Sequence, residues 1–377
     1  MSEVHPSGVV TRPATPTTAE SFAALSSSIL SPPIDADQDV DMLSPRVDYP
    51  PKLIEFPFND TDYEILRDQP LGTGRFSNVY RAEPCPAKSE SSHVTILTPP
   101  STPIRSSFDG PQADQPHLYA VKIPADRCSI PIIRHEAAIL SYLHRMRSAE
   151  QYIVPFHGLD TRNHAVVLTA LPATLETVIR DLNEQPADTR SATAAQLFTP
   201  LAHSLASSLA WLHGAGIVHG DLKPANVLMA AATAAPSARA LSPLLSDFTA
   251  ALHVSGSAAA ATAAPALGGG TYDFLAPELL ARPYPDPSAA TDVYALAMTL
   301  LVFVVGGSPF AGAGNKWMVM EWVKAGMAMG VVRGDPLMDG RLQGVSAIVK
   351  EKDGVDLVTC LEKGLSKRAE DREIAIG

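Results

Sequence analysis

The chain has 377 residues, of which 46% are hydrophobic and 18% charged, with a formal net charge of -11. That length holds two ordinary domains or one larger bilobal domain behind a tail, and the hydrophobic share supplies a packed core over part of it. The acidic balance excludes a chain built to coat nucleic acid, which needs a basic stripe against phosphates, and Cys85, Cys128 and Cys360 lie too far apart for a CxxC zinc site or a disulfide framework.

Residues 1–60 are rich in Pro, Ser, Thr and Asp, cannot bury enough apolar surface to offset chain entropy, and are expected to be a disordered tail whose regulatory partners the composition does not reveal. No basic region followed by an apolar run opens the chain, so no secretory signal is expected, and cysteine usage fits a reducing intracellular compartment, cytoplasm or nucleus. Thr15-Pro16, Ser31-Pro32 and Ser44-Pro45 read as ordinary linker dipeptides. From Tyr63 the texture changes to strands: Tyr63 to Leu66, Asn78 to Ala82 and Leu118 to Ile123. Between the last two, Glu83 to His117 is crowded with Pro and Ser and reads as a surface insertion. Pro131 then opens a helix with Ile132, Ile133, Glu136, Ile139, Leu140 and Leu143 at helical spacing. Strands are predicted around Ile153 to Gly158 and Ala165 to Leu171, and mainly helix thereafter, including Gln196 to Leu212. Ala230 to Ala240 and Ala258 to Ala266 carry Pro236 and Pro265 and no apolar stripe, so they read as loops. Val293 to Val305 is shorter than the ~20 residues a membrane span needs and reads as a buried core helix. No membrane partner is expected. Strands first and helices afterwards give an α+β class, a small β-rich lobe joined to a larger helical one.

The chemistry concentrates in a few segments. Leu71-Gly72-Thr73-Gly74-Arg75-Phe76-Ser77-Asn78-Val79 lies between two strands, where glycines let backbone amides approach phosphate oxygens; glycine pairs also close ordinary hairpins, so both readings stand on this segment alone. Lys122 ends an Ala-Val-Lys strand and Glu136 lies on the following helix; they pair, or they are a surface lysine and a solvated glutamate. His219-Gly220-Asp221-Leu222-Lys223-Pro224-Ala225-Asn226 matches H-x-D-L-K-P-x-N at its six defined positions, which a structural role does not explain. Asp221 offers a carboxylate to a hydroxyl proton, Lys223 a point charge to a moving phosphoryl group, and Asn226 an amide oxygen to a metal ion. A short strand, Pro243 to Ser246, then ends in Asp247-Phe248, a carboxylate suited to Mg2+.

With these motifs in this order, followed by Ala276-Pro277-Glu278, Asp292 and Arg372, residues 63 to 377 resemble a eukaryotic protein kinase, and Asp-Leu-Lys-Pro resembles its serine/threonine branch. The resemblance implies a bilobal kinase-like fold over 61–377, with an N-lobe at about 61–171 carrying the 83–117 insertion and a C-lobe at about 172–377. It implies ATP and Mg2+ as cofactors and Ser or Thr hydroxyls of proteins as substrate. Gly72 and Gly74 would cover the ATP phosphates, Lys122 grip the α- and β-phosphates, and Glu136 position Lys122. Asp221 would be the catalytic base, Lys223 neutralise the γ-phosphate, and Asn226 and Asp247 hold Mg2+. Leu71, Val79, Ala120 and the linker Thr169 to Leu171 would surround adenine. Glu278 would pair with Arg372, and Asp292 brace the catalytic loop.

The chain departs from the family at four places. Ser77 replaces the third loop glycine, a small change. Thr249 replaces the glycine of Asp-Phe-Gly, which restricts the backbone and implies a loop that flips less readily. Gly220 stands where many kinases have an arginine that pairs with a phosphorylated activation segment, so activity is expected not to need that phosphorylation. Only five residues follow Arg372, so a final helix is expected to be short or missing. Thr271 resembles the residue that contacts the catalytic Asp. The alternative to an active enzyme is a pseudokinase or scaffold that binds nucleotide or a partner without turnover, supported by Thr249 and the Ala-rich activation segment.

Overall fold

A computed structural model describes residues 49–86, 118–230, 242–254, 272–282 and 285–373. Five antiparallel strands form the first sheet, in the order β1-β2-β3-β5-β4: β1 Thr61–Thr73, β2 Ser77–Pro86, β3 Tyr119–Pro124, β4 Phe156–Asp160 and β5 Ala165–Thr169. Its register sets Gly72 opposite Val79, Val79 opposite Lys122, and Ala120 opposite Leu168. Cross-strand partners share a face and neighbours along a strand alternate, so Gly72, Val79, Ala120, Lys122 and Leu168 lie on one face.

Helix α1, Ile130–Leu143, packs against this sheet. The preceding turn is fixed by Asp126, whose carboxylate accepts from the Ser129 amide at 2.8 Å, and Pro131 suits the first helical turn. Ile133, Glu136, Ala137 and Leu140 recur at three- and four-residue spacing on its buried stripe, so an acid is held among apolar neighbours.

The rest is mainly helical: α2 Leu175–Asn183, α3 Ala187–Gly214, α4 Ala289–Val305, α5 Lys316–Ala325, α6 Ala328–Gly334, α7 Pro336–Asp353 and α8 Leu357–Gly364. Helix α4 is buried on nearly every side and acts as the central post of this lobe. Ser288 donates its amide to the Thr291 hydroxyl at 3.0 Å to start it, and Gly306 at φ +90° stops it. Among the described residues no helix is long and apolar enough to cross a membrane.

Several expectations need correction. Residues 49–60, assigned to the tail, are ordered against the first lobe: Phe56 is buried, its amide donates to Leu159 O at 3.0 Å, and Leu159 returns a bond to Ile54 O at 2.8 Å. Local composition is Pro-rich there, but backbone pairing to β4 and burial of Phe56 override it. The strand before the insertion runs on to Pro86 because Thr61 to Leu66 pairs along it. The strand placed at Ile153 to Gly158 begins at Phe156. Helix α3 starts nine residues before Gln196, since Arg190, Ala194 and Ala195 continue its buried stripe through a Ser- and Thr-rich stretch. The short strand expected at Pro243 to Ser246 is β9, Ser242–Leu245, and the second lobe also holds β6 Ala173–Thr174, β7 Ile217–Val218, β8 Val227–Ala230 and β10 Leu252–His253, which read as apolar fragments until their partners are known. Thr271, the Ser-Pro and Thr-Pro dipeptides of the tail, residues 87–117 of the insertion, residues 231–240 of the first Ala-rich stretch and all of the second lie outside the described residues.

Candidate active site

Lys122 on β3, Glu136 on α1 and Asp247 after β9 converge although 125 residues separate the first from the last. Lys122 Nζ lies 2.8 Å from Glu136 Oε2, donates to Oε1 at 3.0 Å, and donates to Asp247 Oδ1 at 2.8 Å. Glu136 is fully buried and Lys122 nearly so. Burial is the strongest influence on all three and opposes charge on each. For Lys122 the two carboxylates outweigh it and hold the ammonium well above its ordinary range. Asp247 takes the larger share of that cation, and with the Thr249 hydroxyl it is held well below its ordinary value despite burial. Glu136 stays above its ordinary value, because burial and the neighbouring Asp247 charge exceed the pull of Lys122.

Asp247 sits at φ +60°, the left-handed region, and its carboxylate accepts from Thr249 Oγ1 at 2.6 Å. All three protein donors, Lys122 Nζ, the Thr249 hydroxyl and the Thr249 amide at 3.4 Å, land on Oδ1. Phe248 is fully buried beside His219, with ring centroids 5.0 Å apart, and its amide donates to Glu136 Oε1 at 3.1 Å. His135, one residue before Glu136, lies 2.8 Å from Ala251 O through Nε2. The helix and the segment after Asp247 are therefore tied at two points.

The second cluster is held by Asp292 in the first turn of α4. Its buried carboxylate accepts the His219 amide at 2.8 Å, the Gly220 amide at 2.9 Å and His213 Nε2 at 2.9 Å. His219 accepts from the Asp221 amide through Nδ1 at 3.3 Å, so Nε2 carries the proton that reaches Ser246 O at 3.1 Å. Asp221 Oδ2 then accepts from Lys223 Nζ at 2.7 Å and from Asn226 Nδ2 at 3.1 Å. Asn226 Nδ2 also donates to Asp221 O at 2.7 Å, which leaves Oδ1 as the side chain's acceptor. Ser246 joins the clusters: its amide and hydroxyl both donate to Asn226 O at 2.9 Å.

Gly220 has φ +76°, and a Cβ there would stand 2.6 Å from Ala250 O. A side chain at this position is thus excluded by this loop conformation. Gly72 and Gly74 do not take positive φ. Gly72 instead provides open space, with no atom within 4 Å of a Cβ built on it, and Gly74 N donates to Ser77 O at 2.8 Å to close the hairpin.

The remaining predicted residues divide. Leu71 is exposed at the end of β1, and Val79 and Ala120 share the face of Lys122. Thr169 does not. It pairs with Tyr119 on the opposite face, its hydroxyl lies 2.8 Å from His157 Nε2, and its amide donates to Pro155 O at 3.0 Å, so its side chain turns away from the site, whereas the expectation for this linker rested on backbone groups. Leu168 takes the site face instead, which alternation along β5 reveals once one residue of the strand is oriented. Leu171 is half-buried in the connection to β6. His135 was missed because its partner is 116 residues away, and nothing near it in sequence signals the contact.

Uncommitted oxygens of Asn226 and Asp247 are hard ligands, a set suited to a cation completed by phosphate and water. Among the described residues no group of three or more His, Cys, Asp or Glu forms an all-protein metal cage.

Outside the site, Arg372 forms a two-pronged ion pair with Glu278, at 2.6 and 2.5 Å, and also donates to Ser366 O and Ala290 O.

Comparison with known proteins gives a match to the family model described as protein kinase domain over residues 109–370. The chain is similar to the serine/threonine-protein kinase ISR1 of Eremothecium gossypii, 33% identical over 207 residues, covering 51% of this chain and 53% of that protein. It is also similar to the serine/threonine-protein kinase AfsK of Streptomyces griseus, 34% identical over 33% of this chain and 14% of that protein. Calcium/calmodulin-dependent protein kinase type II of Caenorhabditis elegans is 38% identical over 27% of this chain and 13% of its own length. The matched stretches thus span about half of the first relative and far less of the other two.

Proposed function

This chain belongs to the protein kinase domain family, and we propose that it is an active serine/threonine kinase that moves the γ-phosphoryl group of ATP to Ser or Thr hydroxyls of protein substrates. The observation that carries this reading is Lys122 held within 3.0 Å of both Glu136 and Asp247 while Asp221 is held by Lys223 and Asn226. Every charged group the transfer needs is in reach of its neighbour without rearrangement of the backbone.

In this reading Gly72 and Gly74 let the β1–β2 hairpin close over the phosphates, and Lys122 turns from Asp247 to the α- and β-phosphates while Glu136 keeps its position. Asp221 orients the substrate hydroxyl and takes its proton as oxygen attacks the γ-phosphorus. Lys223 offsets negative charge on the transferring group. Asn226 and Asp247 would hold Mg2+, which when bound screens repulsion between phosphate oxygens. Leu71, Val79, Ala120 and Leu168 would enclose adenine, with backbone groups of Thr169 to Leu171 reading its edge.

One observation favours a second reading, a pseudokinase: the Thr249 hydroxyl occupies Asp247 Oδ1 alongside Lys122, a bond the family's glycine cannot make. Incorporation of labelled γ-phosphate from Mg-ATP into a generic basic protein separates them. Active enzyme is expected in the wild type, falling by orders of magnitude in Asp221→Ala with nucleotide binding retained. Nucleotide binding without turnover in the wild type would favour the pseudokinase.

A further inference from the structure

A close approach of two backbones in the small lobe lies away from the polar clusters. Gly158 on β4 has φ +132°, and a Cβ built there would stand 2.6 Å from Glu55 C and from Phe56 N. Only glycine takes that conformation readily, and only glycine lets the segment 49–56 lie so close. Glu55 pairs with Leu159 in a parallel bridge as a result.

The same segment reaches the C-terminal end of α1. Ile54 N donates to the buried Ser141 hydroxyl at 2.9 Å, and Arg145 Nη2 donates to Lys52 O at 2.7 Å. Tyr49 then stacks on His253, ring centroids 4.2 Å apart and planes within 7°, and meets Tyr142 edge-on at 5.7 Å. Tyr142 meets His253 edge-on at 5.2 Å and donates its hydroxyl to Ala215 O at 3.1 Å. Three rings from the leading segment, the end of α1 and strand β10 thus share one cluster.

Tyr142 is on the helix that carries Glu136, and His253 is six residues beyond Asp247. We propose that residues 49–56 act as a positioning strap, with Tyr49 the positioning residue that locks α1 to the segment after Asp247 and so keeps Glu136 and Asp247 on Lys122. The strap does from outside the site what a phosphorylated activation segment would do through an arginine at position 220, where the loop admits only glycine. It rests on the kinase reading for its activity readout and on geometry alone for its structural one.

The test uses the full chain as wild type, Tyr49→Phe, Tyr49→Ala and Gly158→Ala, measuring kcat and KM for ATP together with amide hydrogen exchange. Tyr49→Phe keeps both ring contacts and is expected to match the wild type. Tyr49→Ala loses two aromatic contacts, which together correspond to roughly tenfold in the ratio of locked to unlocked arrangements, and kcat/KM is expected to fall with the locked population. Exchange is expected to rise in residues 130–143 and 247–253 and to stay slow in 289–305. Gly158→Ala, which displaces the strap without touching the rings, is expected to give the same pattern. Wild-type exchange in 130–143 for Tyr49→Ala, or exchange rising equally throughout 289–305, would overturn the proposal. If the wild type has no turnover, the kinase reading fails by itself and the exchange pattern still decides the strap.

Discussion

Replacing Gly220 by alanine or arginine tests whether the loop geometry, rather than chance, accounts for glycine at this position. At φ +76° a residue with a Cβ bears about 1–2 kcal/mol of backbone strain. The 2.6 Å approach to Ala250 O involves a main-chain atom, which no side-chain rotation relieves, so overpacking adds about 1–3 kcal/mol. The expected loss is about 2–5 kcal/mol for Gly220→Ala and at least that for Gly220→Arg. Displacing Ala250 moves Thr249 and Ala251, whose bonds to Asp247 and His135 fix the metal-side carboxylate and α1, so turnover is expected to fall as well. Urea unfolding and phosphoryl transfer would be measured beside Gly340→Ala in α7, where a Cβ meets nothing within 4 Å and a gain of about 0.4–1 kcal/mol is expected. A Gly220→Arg chain with wild-type stability and turnover would refute the argument.

Thr249→Gly removes the 2.6 Å hydroxyl bond to the Asp247 carboxylate and frees the backbone, easing withdrawal of the buried Phe248; an inhibitor that requires that displaced state is expected to bind the variant about tenfold tighter or more, and equal affinity would count against the bond. Asp247 has a pH signature. Its folded pKa lies below the ordinary 3.8, so the stability it contributes is present above about pH 4 and lost as pH falls through the folded value. The stability gap between wild type and Asp247→Asn is therefore expected to narrow as pH falls toward 3 in urea titrations; the Asp247 charge also raises Glu136, so Asp247→Asn lowers the Glu136 pKa and offsets part of that narrowing. Arg372→Ala leaves Glu278 and three backbone carbonyls without their cation and is expected to cost about 3–5 kcal/mol, seen as a lower urea midpoint; an unchanged midpoint would show the pair to be dispensable.

Sequence alone went far where chemistry demands residue types at fixed spacing. His219 to Asn226 lies within one loop, so its hydrogen bonds are largely local and its pattern survives as a string. The strands of the first sheet and the apolar α4 were legible for a similar reason: each follows from composition and periodicity within one segment. The site face of the sheet was not, because a strand's alternation says which residues share a face but not which face receives the site; register with β3 puts Leu168 there and turns Thr169 toward His157.

What only the tertiary structure decided are contacts between segments with no mutual constraint along the chain. Residues 49–60 resemble a tail until Gly158, about a hundred residues later, opens a slot for their backbone. Gly220 resembles a lost arginine until Ala250 O is found 2.6 Å from where a Cβ would stand. The physical reason is the same in both cases: a glycine records the close approach of another backbone, and the sequence shows the missing side chain without showing what took its place.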